Sequence, residues 1–333
     1  MYSPSEAKLA RLRALSTPDG VIAAMAIDQR GSLRQIMIDA GGTASDEAVA
    51  EFKSAVVAAL TPHSSAVLLD PEIGLSAATH RAPGCGLLLA YEMDGYNNPR
   101  PSRMLALIAN QSARRLRELG ADGVKILLHY SPSDPGPAND QKLAMIERIG
   151  HECEAAEVPF FLEPVGYDPG GLDPNGFEFA KRKPEIVLHM MAEFSKDLYK
   201  VDILKVEFPI NVSFVDGAHP AYTREQALDY YRRADAVAKK PFIYLSAGVK
   251  SEQFLACLEL AREAGSRYSG VLCGRATWQD GVGAYVRGGL AGLSAWLETD
   301  GVRNIKAVNE AIRSATPWGR QSCLRPPFRR HAG

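Results

Sequence analysis

No stretch of this sequence approaches the roughly eighteen consecutive apolar residues that a membrane-spanning helix requires. The opening residues, Met1-Tyr2-Ser3-Pro4-Ser5-Glu6, also lack the basic segment and apolar run of a secretory leader. A cytoplasmic protein with no membrane partner is expected. Cysteine is scarce: the five residues at 85, 153, 257, 273 and 323 are odd in number and show no CxxC spacing. That argues against a disulfide framework or a cysteine zinc site and fits a reducing compartment. The seven histidines, at 63, 80, 129, 151, 189, 219 and 331, fall in neither HxH nor HExxH spacing, so no catalytic metal is expected. Neither sign of charge prevails. Thirty-eight basic residues against 39 acidic ones leave a formal charge of -1, which gives no global field for nucleic acid. Small molecules are the expected partners, and a homo-oligomeric state is compatible with them.

Hydrophobic residues, at 46%, are plentiful enough for a large core, and they recur in two rhythms. Short apolar, often β-branched runs stand at 21–28, 64–70, 86–92, 123–130, 159–165, 202–209, 241–248 and 270–276. Segments of helical periodicity separate them, at 46–60, 103–119, 142–156, 185–198, 224–238 and 251–264. Strands apolar on both faces belong to a parallel sheet. Asp28-Gln29-Arg30-Gly31-Ser32, after the first run, is not the glycine-rich turn of an open dinucleotide-binding sheet. Eight βα units therefore predict a single (β/α)8 TIM barrel over residues 1–322, with its active site at the C-terminal ends of the strands. An extra helix is expected at 5–14, and two more at 283–297 and 302–314 should flank the barrel. Residues 323–333 read as a flexible basic tail. The Pro- and Gly-rich stretches 131–137 and 166–176 follow the fourth and fifth strands, where barrel enzymes carry active-site loops.

Lys205 lies inside Val201-Asp202-Ile203-Leu204-Lys205-Val206-Glu207-Phe208-Pro209, a run too apolar for a surface lysine. Burial disfavours an ammonium and frees an amine to attack a carbonyl and form a Schiff base. Strand alternation puts Ile203, Lys205 and Glu207 on one face, Phe161, Glu163 and Val165 on another, and Lys125, Leu127 and His129 on a third. Three adjacent strands thus aim Lys125, Glu163 and Lys205 at one interior, and Asp28 at the end of the first run would complete a ring of opposite charges. Lys205 is read as the imine-forming amine, its pKa lowered by apolar walls and by Lys125, and Glu163 as the proton shuttle. The seventh and eighth runs end in Ser246-Ala247-Gly248 and Gly274-Arg275-Ala276, where backbone N–H groups, a hydroxyl and a guanidinium suit a phosphate. His129 is read either as a substrate contact or as a hydrogen-bonded core histidine, and Cys273 as inert packing.

Six stretches resemble the class I tagatose 1,6-bisphosphate aldolases: Ala26-Ile27-Asp28-Gln29-Arg30-Gly31, Gly86-Leu87-Leu88-Leu89-Ala90-Tyr91-Glu92, Asn139-Asp140-Gln141-Lys142, residues 201–209, Tyr244-Leu245-Ser246-Ala247-Gly248-Val249 and residues 270–278. They occur in the family's order over nearly the whole chain. The resemblance implies a barrel aldolase with no cofactor, whose covalent imine forms on Lys205 and whose acid/base is Glu163. It further implies that Asp28, Gln29 and Lys125 surround the reacting carbons, that Ser246, Gly248, Gly274 and Arg275 hold a phosphate, and that Arg30 meets the second anionic end. The implied substrate is a phosphorylated ketose, D-tagatose 1,6-bisphosphate, cleaved to glycerone phosphate and D-glyceraldehyde 3-phosphate. Pro164 and the loop 166–176 depart from the family pattern beside the sugar site. A sulfofructose 1-phosphate aldolase of the same superfamily, or a non-catalytic sugar-phosphate sensor, are the alternatives.

Overall fold

The computed structural model describes residues 4–93, 95 and 98–320, and its eight strands close into a parallel barrel in the order β1 to β8. The strands are β1 (Ile22–Ala26), β2 (Ala66–Leu69), β3 (Gly86–Ala90), β4 (Gly123–Tyr130), β5 (Phe160–Gly166), β6 (Ile203–Val206), β7 (Phe242–Leu245) and β8 (Gly270–Cys273). The helices are α1 (Glu6–Ala14), α2 (Gly31–Asp39), α3 (Asp46–Leu60), α4 (Ala113–Glu118), α5 (Gly136–Ala155), α6 (Phe177–Phe194), α7 (Arg224–Val237), α8 (Ser251–Glu263), α9 (Arg275–Trp278), α10 (Gly281–Trp296) and α11 (Val302–Ala311). No helix among the described residues is long and apolar enough to cross a membrane. The expected tail, 323–333, lies outside the described residues.

Two apolar layers result from strand alternation. The outward residues, such as Met25, Val67, Leu89, Ile126 and Leu204, pack against the helices. The inward ones, Ile22, Ala24, Leu68, Leu88, Phe161, Ile203, Ile243 and Leu272, fill the lower barrel together with Leu9, Leu12 and Leu15 of α1 and the segment after it. The extra N-terminal helix thus plugs the N-terminal mouth. It passes close to β3: a Cβ on Gly86 would stand 2.5 Å from the Ala14 carbonyl oxygen, so the first residue of β3 has room for no side chain. Lys8 is drawn into this plug by Asp202, 2.7 Å from its Nζ, whose Oδ2 also accepts the Phe160 N–H at 2.8 Å.

Three helices differ from the expected bounds, α5 beginning at Gly136 and not at 142, and α2 and α9 stand where no helix was expected. The periodicity predicts a helix over 103–119, but it begins only at Ala113, because Ser112 caps it by accepting the Arg115 N–H. Ser102 and Arg103 take left-handed backbone angles instead, and Glu92 bridges to Leu107. α6 starts well before the expected Glu185 and runs through Pro184. Proline lacks the N–H that would reach the Ala180 carbonyl. The Tyr222 hydroxyl donates to that carbonyl at 3.1 Å, so the helix continues without an orphaned acceptor.

Candidate active site

The ladders place Ala90 opposite Lys125, Lys125 opposite Phe161, and Phe161 opposite Ile203. Lys125 is therefore rooted in an apolar layer. Its four-carbon stem carries the ammonium one step higher, among the next inward residues. There Nζ lies 2.9 Å from Asp28 Oδ2, 2.6 Å from Glu92 Oε1 and 2.9 Å from Glu163 Oε2. The same Glu163 oxygen accepts from Lys205 Nζ at 2.8 Å. The ring expected from alternation is thus present, with Glu163 bridging the two lysines. Glu163 has no exposed surface and Lys205 only 4%.

Glu92 completes the cluster and was not singled out from sequence, although alternation from Leu88 and Ala90 aims it inward. Two ammonium groups then face three carboxylates, one more than they can neutralise. Burial, and then the charge of Asp28, raise the Glu92 carboxyl, and its Oε2 has no hydrogen-bond partner among the described residues. Burial would also raise Asp28 and Glu163, but Lys125 and Lys205 outweigh it and hold both below the usual carboxylate range. The reverse balance keeps Lys125 charged: burial opposes its proton, and Asp28, Glu163 and Glu92 together raise it well above the ordinary lysine value. Glu92 is the carboxyl best placed to hold a proton.

Lys205 opens onto a narrow cleft formed with Asp28, Gln29, Ser246, Gly248, Gly274 and Arg275, the residues expected there. Trp278 donates to the Ala26 carbonyl at 2.8 Å, which docks α9 on β1 and fixes the turn that carries Arg275. Gly248 has a left-handed φ of 76°, and a Cβ there would stand 2.4 Å from Arg275 Cζ. Only glycine lets the guanidinium lie over that turn. The Ser246 hydroxyl is 3.4 Å from the Gly274 N–H, so hydroxyl, amide and guanidinium converge on one spot. Gln29 Oε1 is buried and has no partner among the described residues. Two of the expected set do not border this cleft: Lys125, which stays in the charged cluster, and Arg30. Its guanidinium donates to Glu72 and, at 2.8 Å, to the Glu92 carbonyl, and it borders neither this cleft nor the cavity beside it.

Cys273 is buried, and burial pushes its thiol up to about 12, which denies it the thiolate that a nucleophile needs. No group of three or more His, Cys, Asp or Glu side chains among the described residues is gathered as a metal site would need. A cavity of about 810 Å³ lies at the N-terminal mouth near Val21 and Ala23, away from these charges.

Residues 22–280 match the family described as DeoC/LacD family aldolase. The chain belongs to this aldolase family. It is 46% identical over 322 residues to the tagatose 1,6-diphosphate aldolase 2 of Enterococcus faecalis, covering 96% of this chain and 97% of the relative. It is 44% identical over 322 residues to the tagatose 1,6-diphosphate aldolase of Listeria monocytogenes, covering 96% and 95%. A solved fructose-bisphosphate aldolase from Plasmodium falciparum superposes with a TM-score of 0.71 at 12% identity, over 95% of this chain and 99% of that one. The last likeness is one of fold alone.

His129 shares the inward face of β4 and is 2% exposed, yet its Nε2 has no partner among the described residues. It is not the hydrogen-bonded core histidine that one sequence reading offered. Burial, and then Arg103 and Lys142, push its pKa down to about 3. In the unfolded chain the value returns to about 6.5. The unfolded state thus takes up the extra proton, so the contribution to stability is complete above about pH 6.5 and is lost progressively as pH falls towards the folded value. In His129→Gln, the fall in urea-unfolding free energy between about pH 7 and about pH 5 should be shallower, by up to about 1.4 kcal/mol per pH unit. Identical slopes for the two proteins would disprove the assignment.

Proposed function

We propose that the chain is a Schiff-base, metal-independent aldolase that reversibly splits a ketohexose 1,6-bisphosphate, read as the D isomer of the tagatose named for its relatives, into glycerone phosphate and D-glyceraldehyde 3-phosphate. The observation that carries this reading is the 2.8 Å contact between Lys205 Nζ and the fully buried Glu163, beside the Ser246–Arg275 turns. Glu163 takes a proton from the Lys205 ammonium, the freed amine adds to the C2 carbonyl, and loss of the carbinolamine hydroxyl as water, with the proton returned by Glu163, gives an iminium. A base then takes the C4 hydroxyl proton, the C3–C4 bond breaks, and its electron pair moves into the iminium to give an enamine. Release of the aldehyde, protonation at C3 and hydrolysis return the lysine.

Glu163 is the proton carrier. Lys125 and Lys205 together hold it ionised, so converting Lys205 to a neutral carbinolamine removes one of the two cations and raises its affinity for a proton at the step that needs one. The Lys125 ammonium sits where Asp28, Glu92 and Glu163 converge and supplies the positive charge that a metal would supply elsewhere. Ser246, Gly248, Gly274 and Arg275 hold the phosphate on C1, and that remote binding aligns the reacting carbons.

Borohydride reduction in the presence of glycerone phosphate should inactivate the protein and leave a covalent adduct detected by mass spectrometry, while EDTA leaves cleavage unchanged. Activity abolished by EDTA and restored by a divalent ion, without an adduct, would replace the reading by a metal-dependent one. Faster turnover of a sulfonated ketose phosphate would keep the chemistry and change the substrate.

A further inference from the structure

The cleft at Lys205 is narrow, and a six-carbon chain with a phosphate at each end must extend beyond it. Next to it, sharing Ser246, Ala247 and Arg275, lies a cavity of about 470 Å³, within the range of small-molecule sites. Its far wall is made by the segments that follow β3, β5 and β6, and it carries two further cations, Arg103 and Lys183.

The two differ in how their charge is met. Lys183 Nζ is 3.1 Å from Glu207 Oε1, while Glu207 Oε2 accepts the Gly166 N–H at 2.8 Å. The other carboxylates on this wall are engaged as well, Asp168 by Arg182 at 2.8 Å and Asp173 by the Asn175 N–H at 2.9 Å. Arg103 has no carboxylate partner among the described residues. Its guanidinium lies 5.0 Å from the centre of the Tyr167 ring. That ring is held from behind: its hydroxyl is 2.6 Å from the Asp134 carboxylate, which also binds the fully buried Lys142 at 2.7 Å. Lys142 belongs to the Asn139–Lys142 stretch of the family resemblance and is otherwise without a part in the chemistry. Its Nζ also lies 3.3 Å from the Tyr167 hydroxyl, so it braces the ring on which Arg103 lies. His129, edge-on to Tyr167 with ring centres 6.2 Å apart, brings to the same wall a buried nitrogen with an unmet hydrogen bond, the mark of a surface built for a polar ligand.

We propose that this cavity seats the distal half of the ketose and that Arg103 receives its second phosphate, the part that the resemblance gave to Arg30. The inference rests on the aldolase reading. An arginine stacked on an anchored aromatic ring, with no carboxylate to neutralise it, presents its donors in the fork that a phosphate accepts. Arg30 is already committed to Glu72 and to the Glu92 carbonyl.

The test compares kcat/KM for a ketohexose 1,6-bisphosphate with that for the 1-phosphate of the same sugar. In Arg103→Met the preference for the bisphosphate should fall roughly 30-fold or more, and Arg103→Lys should recover part of it. Arg275→Met should lower both efficiencies together. A bisphosphate preference that survives Arg103→Met, or that is lost in Arg30→Met instead, overturns the inference while leaving the aldolase reading in place. A wild-type protein that cleaves neither sugar overturns both.

Discussion

Lys205→Met is expected to lower kcat by on the order of 10⁴-fold or more and to abolish the borohydride-trapped adduct. Methionine keeps the unbranched stem and its packing in β6, so the barrel should persist and the loss should be chemical. No neighbouring amine can take over. Lys125, the nearest alternative, is bound to three carboxylates that raise its proton affinity well above the ordinary value, and an ammonium has no lone pair to give. Lys205 meets one carboxylate of that set, Glu163, and borders the cleft, which Lys125 does not. The decisive readout is the mass of the trapped peptide. An adduct that survives Lys205→Met and vanishes in Lys125→Met would exchange the roles of the two lysines.

The sequence makes the barrel legible because a parallel sheet buries both faces, so each strand is a continuous apolar run whose period needs no partner to be read. β4 agrees with its run at both ends, 123–130. Other runs overshoot at their C-terminal ends, where 21–28 becomes Ile22–Ala26 and 270–276 becomes Gly270–Cys273. The surplus residues, Asp28, Gly274 and Arg275, are those of the site. A backbone that leaves the ladder can turn its side chains over the barrel mouth, so the functional positions blur the strand boundary. Alternation also brought Lys125, Glu163 and Lys205 to one interior. It did not reveal Arg103, on an irregular segment that has no period, or Lys183, on the first turns of α6, which lie before the helix expected from 185. Nor could it reveal pairs such as Lys8 with Asp202 or Lys53 with Asp70, each made by two buried ions on separate elements. Such partners are fixed by tertiary packing alone.

Lys125→Met should cost about 3–5 kcal/mol of folding stability at neutral pH, besides most of the activity, because it strands three carboxyls that have little or no contact with bulk water. Asp28 has 9% of its surface exposed and Glu92 and Glu163 none. In the wild type, Lys125 is the common partner that keeps Asp28 and Glu163 ionised against their burial. Without it, Lys205 is the main cation left to balance them, with a smaller effect of Lys53 on Asp28. The sign of the pH dependence then separates this cause from mere loss of packing. Depressed carboxyl pKa values stabilise the wild type fully above the unfolded range of about 3.9 to 4.3, and that contribution is lost as pH falls through the folded values. In Lys125→Met the same carboxyls move up instead, so they bind protons on folding and the deficit shrinks as pH is lowered from about 8 towards about 5. Urea unfolding across that interval should show the two proteins converging. A deficit independent of pH would mean that the methionine only packs badly, and that the carboxylates do not depend on this ammonium for their charge.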